Sequence, residues 1–186
     1  MGVRAALVQC AVASVAAWLS LAAPAAAQAD DAAREAELLV QLREAETPQA
    51  AALIEAEIAA IWSRSGSAAI DLLLRRGRDA LEAGDRQAAI EHLTAAIDHD
   101  PSFAEPYAAR AIAYYMAGEV GPAVDDLRQA LVLNPSHWPA MKGFASILEE
   151  IGREEDALEV WRRVTEINPQ DAEAEAEAAR LALALE

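Results

Sequence analysis

Apolar and small residues recur along most of the chain at intervals of three or four positions, the spacing of one face of an α-helix. In one stretch these positions are Ala123, Leu127, Ala130 and Leu131. Asn134-Pro135 follows, and because the residue before a proline disfavours helical backbone, the helix is predicted to end there. Gly118, upstream, allows the left-handed backbone that ends a preceding helix. The stretch therefore predicts two helices joined by a turn.

The same pattern repeats with a period of 34 residues. The columns in phase are Pro101, Pro135 and Pro169; Gly84, Gly118 and Gly152; Ala89, Ala123 and Ala157; and Leu93, Leu127 and Trp161. A further column holds only small residues, Gly77, Ala111 and Ala145, which suits two helices that cross closely. Three units of two helices each are predicted, over residues 70–103, 104–137 and 138–171.

These units resemble tetratricopeptide repeats, helix–turn–helix units of 34 residues with an Ala-x3-Phe…Pro tail. The tail reads Ala89-x3-Leu93…Pro101 in the first unit, and the resemblance covers residues 70–171. Arg76 departs from the family pattern, which usually has a core leucine there. The resemblance implies an all-α, right-handed superhelix (solenoid) of antiparallel helix pairs, with a concave face that binds peptides or helices.

The segments on either side of the repeats are also predicted to be helical. Residues 28–69 form a hairpin in which Thr47 caps a helix that begins at Pro48. The hairpin lacks the repeat columns, so we expect it to cap the N-terminal end of the solenoid. At the other end, Asp171 is expected to cap a final helix over residues 172–186.

The first 27 residues have the order of a secretory signal peptide. A short positive start is followed by an apolar run over residues 5–23 and by small residues at 25–27, which predicts cleavage before Gln28. The chain is therefore expected to be exported, and periplasmic in a Gram-negative bacterium. The alternative is an uncleaved inner-membrane anchor formed by residues 5–23, since that run is long enough to span a bilayer.

Composition excludes several classes of function. The 31 acidic and 15 basic residues give a net charge of −16, which opposes nucleic-acid binding and favours basic partners. The only cysteine, Cys10, lies in the predicted signal peptide. His92 and His99 are about two helical turns apart, too far for one metal ion, and His137 is expected in a loop as an ordinary surface residue. We predict no enzyme, no cofactor and no metal.

Similar repeats bind their partners mainly through the first helix of each pair. Projecting that face onto this sequence predicts a partner-binding groove formed by Leu74, Arg75, Arg78, Ala108, Ile112, Tyr115, Met116, Lys142 and Ser146. Two alternatives stay open: Tyr115 and Met116 pack against a neighbouring helix, or the arginines pair with Asp71, Asp79 or Glu82. The Lys/Asn/Arg clamp by which some repeats hold a chaperone's terminal carboxylate is not reproduced, because Leu74, Ala109 and Pro139 stand there.

The sequence therefore predicts a non-catalytic adaptor of the cell envelope that binds a peptide or helix of another, possibly basic, envelope protein. One alternative is a self-associating scaffold that stacks through Trp62 or through Leu181 and Leu185. Another is an assembly factor held in the membrane by its uncleaved N-terminal helix.

Overall fold

A computed structural model describes residues 29–186, and every regular element in this range is an α-helix. The chain divides into two units, Met1–Glu37 and Leu38–Glu186, and the packing described below lies within the second. Helix α1 covers residues 29–43. The others are α2 (Pro48–Trp62), α3 (Ala68–Glu82), α4 (Arg86–His99), α5 (Ala104–Met116), α6 (Val120–Leu133), α7 (Trp138–Glu150), α8 (Glu154–Ile167) and α9 (Ala172–Ala184). The predicted all-α solenoid is confirmed.

The helices begin and end where local chemistry requires. The Thr47 hydroxyl accepts a hydrogen bond from the Ala50 N–H (3.2 Å), and Pro48 opens α2. The Asp171 carboxylate accepts one from the Ala174 N–H (3.0 Å) and starts α9. Gly118 follows α5 with φ 80°, the left-handed conformation that glycine adopts at low cost. These three signals were read correctly from the sequence.

The small residues mark the places where paired helices cross. A Cβ atom added at Gly77 would lie 2.5 Å from Cγ of Leu93, so only glycine fits between α3 and α4. Ala111 and Ala145, at the equivalent positions, are buried. The period of small residues is therefore the period of close helix contact, as predicted.

An ion pair ties together three helices at the first two repeats. The Arg110 guanidinium on α5 donates two hydrogen bonds to the Asp126 carboxylate on α6, at 2.7 and 2.8 Å. It also donates to the Thr94 hydroxyl on α4 at 2.9 Å and lies over the rings of Tyr107 and Tyr114. The carboxylate raises the pKa of Arg110 above its ordinary value, and this gain exceeds the loss from burial.

The hairpin formed by residues 38–43 of α1 and by α2, called the hairpin below, is not placed as a cap on the first repeat alone. Leu42 and Ile58 belong to the same buried cluster as Trp138 and Trp161 of the third repeat. The Gln170 side-chain amide donates to the Ala45 carbonyl at 2.9 Å, across 125 residues of sequence. The physical reason is the apolar side of α2, which is buried in the same cluster as apolar residues of the third repeat and α9.

The predicted signal peptide or anchor, residues 1–27, lies outside the described residues. Within residues 29–186, no helix combines the length with the apolar character that crossing a bilayer requires.

Candidate functional site

Helices α3, α5 and α7, the first helix of each repeat, line one face of the solenoid and enclose a half-open pocket of about 580 Å³. The fourth wall of this pocket is α2, through Ala59 and Trp62. Most of the lining is apolar, and its charged members are Arg78 and Glu105. The volume lies within the range of pockets that bind ligands. The principal lining residues are Arg78, Leu81, Glu105, Ala108, Ile112, Tyr115, Trp138, Gly143, Ser146 and Ile147.

A partly buried polar network lies at one end of the pocket. The Arg78 guanidinium donates to the Glu105 carboxylate and, at 2.9 Å, to the Ser63 hydroxyl that follows α2. The other Glu105 oxygen lies 3.0 Å from Nε2 of His137. Arg78 comes from the first repeat, Glu105 and His137 come from the two ends of the second repeat, and Ser63 follows α2. Arg78 therefore pairs with Glu105, and not with the nearby acids on its own helix that the sequence suggested.

His137 lies in the loop before α7, as predicted, but it is not a surface residue, because it is only 3% exposed. Its Nδ1 accepts a hydrogen bond from the Ala140 N–H at 3.0 Å and so caps α7. A nitrogen that accepts carries no proton, so the ring is neutral and its Nε2–H donates to Glu105. Trp62 covers the ring, with the centroids 4.8 Å apart.

The middle of the pocket presents apolar surface to solvent. Ile112 is 54% exposed and Tyr115 is 42% exposed, although both lie on the pocket wall. The Tyr115 hydroxyl donates to the carboxylate of Glu150 at the end of α7. This hydrogen bond raises the pKa of the Tyr115 phenol above its ordinary value of 10.0. A bulky apolar group that entered the pocket would cover both side chains.

The structure brings five of the nine predicted groove residues together around the pocket, and they are Arg78, Ala108, Ile112, Tyr115 and Ser146. Leu74 is not on the surface: it is 1% exposed and packs with Leu93 and Ala109 in the first repeat's core. Its position on α3 is covered by α5, which the projection of a single helical face did not take into account. Arg75 and Met116 are exposed but do not line the pocket.

Lys142, the ninth predicted residue, is engaged by two carboxylates. Its Nζ lies 2.8 Å from Asp171 and 2.6 Å from Glu173. Burial lowers the pKa of Lys142, but the hydrogen bonds to these two carboxylates outweigh it and hold the pKa above its usual range. The lysine therefore joins α7 to the start of α9.

Two tryptophans of the pocket were missed by the sequence prediction. Trp138 opens α7, one of the three lining helices, so its place was readable from the repeat pattern. Trp62 carried no such signal, because it lies outside the repeats and reaches the pocket only through the placement of the hairpin. Trp62 and Leu181 are both buried. Neither side chain is therefore available for the end-to-end stacking that the scaffold alternative proposed.

The comparisons with known proteins agree with this architecture. A sequence model described as "Tetratricopeptide repeat" matches residues 74–137 and, overlapping them, residues 109–172. A TPR repeat-containing protein of Rhizobium etli is 33% identical over 146 residues, which make up 78% of this chain and 72% of that protein.

Solved structures are similar in fold over more than half of this chain. The first TPR of Spaghetti (RPAP3), bound to the HSP90 peptide SRMEEVD, superposes with a TM-score of 0.59 at 26% identity and covers 63% of this chain and 93% of its own. The second TPR domain of human RPAP3, in complex with the HSP70 peptide SGPTIEEVD, gives a TM-score of 0.54 at 26% identity and covers 59% and 91%.

Proposed function

This chain belongs to the tetratricopeptide repeat family, and we propose that it is a non-catalytic adaptor that binds a short segment of another protein in the pocket between α3, α5 and α7. The observation that carries the proposal is the half-open apolar pocket itself, where Ile112 and Tyr115 remain exposed. Exposed aromatic and aliphatic side chains in a preformed concavity are typical of sites that anchor a partner.

Two further facts support a peptide or a helix as the ligand. The similar RPAP3 domains are bound to peptides of HSP90 and HSP70. The lining helices are fixed by buried contacts, among them the Arg110–Asp126 ion pair, so the pocket exists before a partner arrives. A preformed pocket loses little conformational entropy on binding, which favours affinity.

We further propose that the protein works in the cell envelope. This part rests on residues 1–27, whose charge and apolar order are those of a cleaved signal peptide. N-terminal sequencing of the protein purified from its native host tests it. A mature chain that starts at Gln28 is expected, an intact N-terminus in the membrane fraction would support the anchor instead, and an intact N-terminus in the cytosol would contradict export.

Site-specific photo-crosslinking in living cells tests the binding proposal. A photoreactive phenylalanine analogue replaces Ile112 in the pocket and, in a matched control, replaces Val132 on α6, which is 72% exposed and outside the pocket. We expect a discrete adduct from position 112 that is absent from position 132. Adducts from position 132 alone, or from neither position, would contradict the pocket as the working site.

A second candidate function is self-association through the C-terminal end. Leu183 and Leu185 are exposed one after the other beyond the buried Leu181, and this small apolar surface favours it. Sedimentation velocity at several concentrations separates the candidates. A dimer that disappears in Leu183→Ser would support self-association, whereas a monomer at all concentrations would eliminate it.

A further inference from the structure

We propose that α2 remains in place when a partner binds, and that it acts with Glu150 to select the partner: a short segment with a bulky apolar anchor and an adjacent lysine or arginine. This inference rests on the proposed function, because it assigns the chemistry of the segment that enters the same pocket. It concerns two features of the pocket. One is the wall formed by α2, which lies outside the repeats, and the other is the Glu150 carboxylate at the rim.

The hairpin is held at three separated points, so it is a fixed wall. The Ser63 hydroxyl after α2 accepts a hydrogen bond from Arg78 at 2.9 Å. The Asn168 side-chain amide donates to Glu55 in the middle of α2 at 2.6 Å. Gln170 binds the Ala45 carbonyl before α2. Displacing α2 would break all three contacts and expose Trp62, so a ligand that fits beside α2 is favoured over one that replaces it.

The charges of the site disfavour an acidic ligand. Arg78, the one cationic side chain in the described lining, already donates to Glu105. Lys142, the nearby lysine of α7, is shared by Asp171 and Glu173. A partner's carboxylate would therefore meet side chains whose positive charge is already paired with a carboxylate of this protein. A partner with a lysine or arginine does not depend on these cations.

Glu150 supplies the group that a basic residue would meet. It lies at the exposed end of α7 and accepts a hydrogen bond from the Tyr115 hydroxyl on the pocket wall. In the part of the chain that the structure describes, no cation pairs with Glu150. A lysine or arginine beside the apolar anchor would reach this carboxylate, and the net charge of −16 would add to the attraction.

The wall also limits the length of the ligand. Because Ala59 and Trp62 close the space between α3 and α7, about 580 Å³ is left for side chains. That space takes a few bulky apolar groups from one or two helical turns, not an extended chain running the length of the solenoid. The pocket therefore fits an anchor residue and its neighbours.

The test uses three synthetic peptides and the mature protein. The first forms a short helix with two leucines one turn apart and a lysine beside them, the second replaces that lysine with glutamate, and the third is SRMEEVD. Fluorescence anisotropy gives the affinities. We expect the lysine peptide to bind at least about tenfold more tightly than the other two. Tighter binding of either acidic peptide, or no binding of the lysine peptide, would overturn the assigned chemistry.

Substitutions on α2 and at the rim locate the contact. Ala59→Lys places a charge on the pocket wall without touching the buried side of α2, and Ala60→Lys is its control on the adjacent exposed position. Ala59→Lys should weaken binding of the lysine peptide more than about tenfold and Ala60→Lys should not. Glu150→Gln should weaken it about two- to fivefold. Equal affinities in all three variants would contradict the proposal.

Hydrogen exchange of the α2 amides shows whether α2 remains packed against the pocket when the peptide binds. Protection of residues 48–62 should rise when the lysine peptide saturates the protein. A fall in protection would show that α2 is displaced and would overturn this inference, while the adduct at position 112 would still support the proposed function. An absent adduct at position 112 would contradict the proposed function itself, even if the peptides were still distinguished.

Discussion

The indole of Trp62 stacks on the imidazole of His137, with centroids 4.8 Å apart and planes 14° from parallel. Trp62 ends α2, and His137, the last residue of the second repeat, caps α7 of the third repeat. The contact therefore covers the histidine whose neutral ring starts α7 and whose Nε2–H holds Glu105. The hairpin and the polar end of the pocket therefore share this contact.

Asn168→Ala should destabilise the protein more than Asn134→Ala. Both asparagines occupy the same turn of successive repeats, where the side-chain oxygen accepts a backbone N–H from Gln170 or Ser136. Only Asn168 also donates to Glu55 of the hairpin. We expect a difference of about 1–2 kcal/mol in the free energy of unfolding, measured with urea. Equal losses would mean that the hairpin contact adds nothing to stability.

Gly77→Ala should destabilise the protein, whereas Gly143→Ala should not. The added Cβ at Gly77 would lie 2.5 Å from Leu93 Cγ, whereas at Gly143 it would meet Leu127 Cδ2 at 3.7 Å, an ordinary contact. We expect Gly77→Ala to cost about 1–3 kcal/mol. Gly143→Ala should be neutral or stabilise by up to about 1 kcal/mol, because alanine favours helix. Thermal and urea denaturation measure both, and a tolerated Gly77→Ala would contradict the close crossing of α3 and α4.

Asp126→Asn should lower the free energy of unfolding, because Arg110 loses its charged partner. Both side chains have little exposure, so Asp126→Asn leaves a largely buried guanidinium without a charged partner and should cost about 3 kcal/mol. The control is Arg163→Gln, whose partner Glu166 is 63% exposed, and its cost should stay below about 1 kcal/mol. Urea denaturation compares the two. Similar small losses would show that Arg110 is held by its tyrosine neighbours and not by Asp126.

Tyr115 should ionise at a higher pH than a free tyrosine. The hydrogen bond to Glu150 raises its pKa above 10.0 in the folded state, so its contribution to stability is present below pH 10.0 and is lost as the pH rises through the folded pKa. Titration by ultraviolet absorbance should show a late component that is absent in Tyr115→Phe. Glu150→Gln should shift that titration down, and an unchanged titration would contradict the hydrogen bond.

Several elements were readable from the sequence because their causes are local. Gly118, Thr47 and Asp171 set helix ends through contacts within a few residues. The column of Gly77, Ala111 and Ala145 marks contact between helices adjacent in sequence. Because the same helix contacts recur in each repeat, the same residue pattern recurs too. This is why the fold could be predicted, and also the position of five of the nine proposed groove residues on the pocket wall.

The remaining features were decided by the tertiary structure. Leu74 and Ile112 both lie on the predicted groove face of the first helix of a repeat. Leu74 is nevertheless buried by α5, whereas Ile112 is exposed in the pocket. The hairpin binds Asn168 and Gln170 across 113 and 125 residues, a contact made once and therefore without a period to reveal it. Pairing of Arg78 with Glu105 likewise required both helices in place. Interactions between distant segments depend on where the intervening chain carries them, so only the assembled solenoid fixed the fourth wall of the pocket.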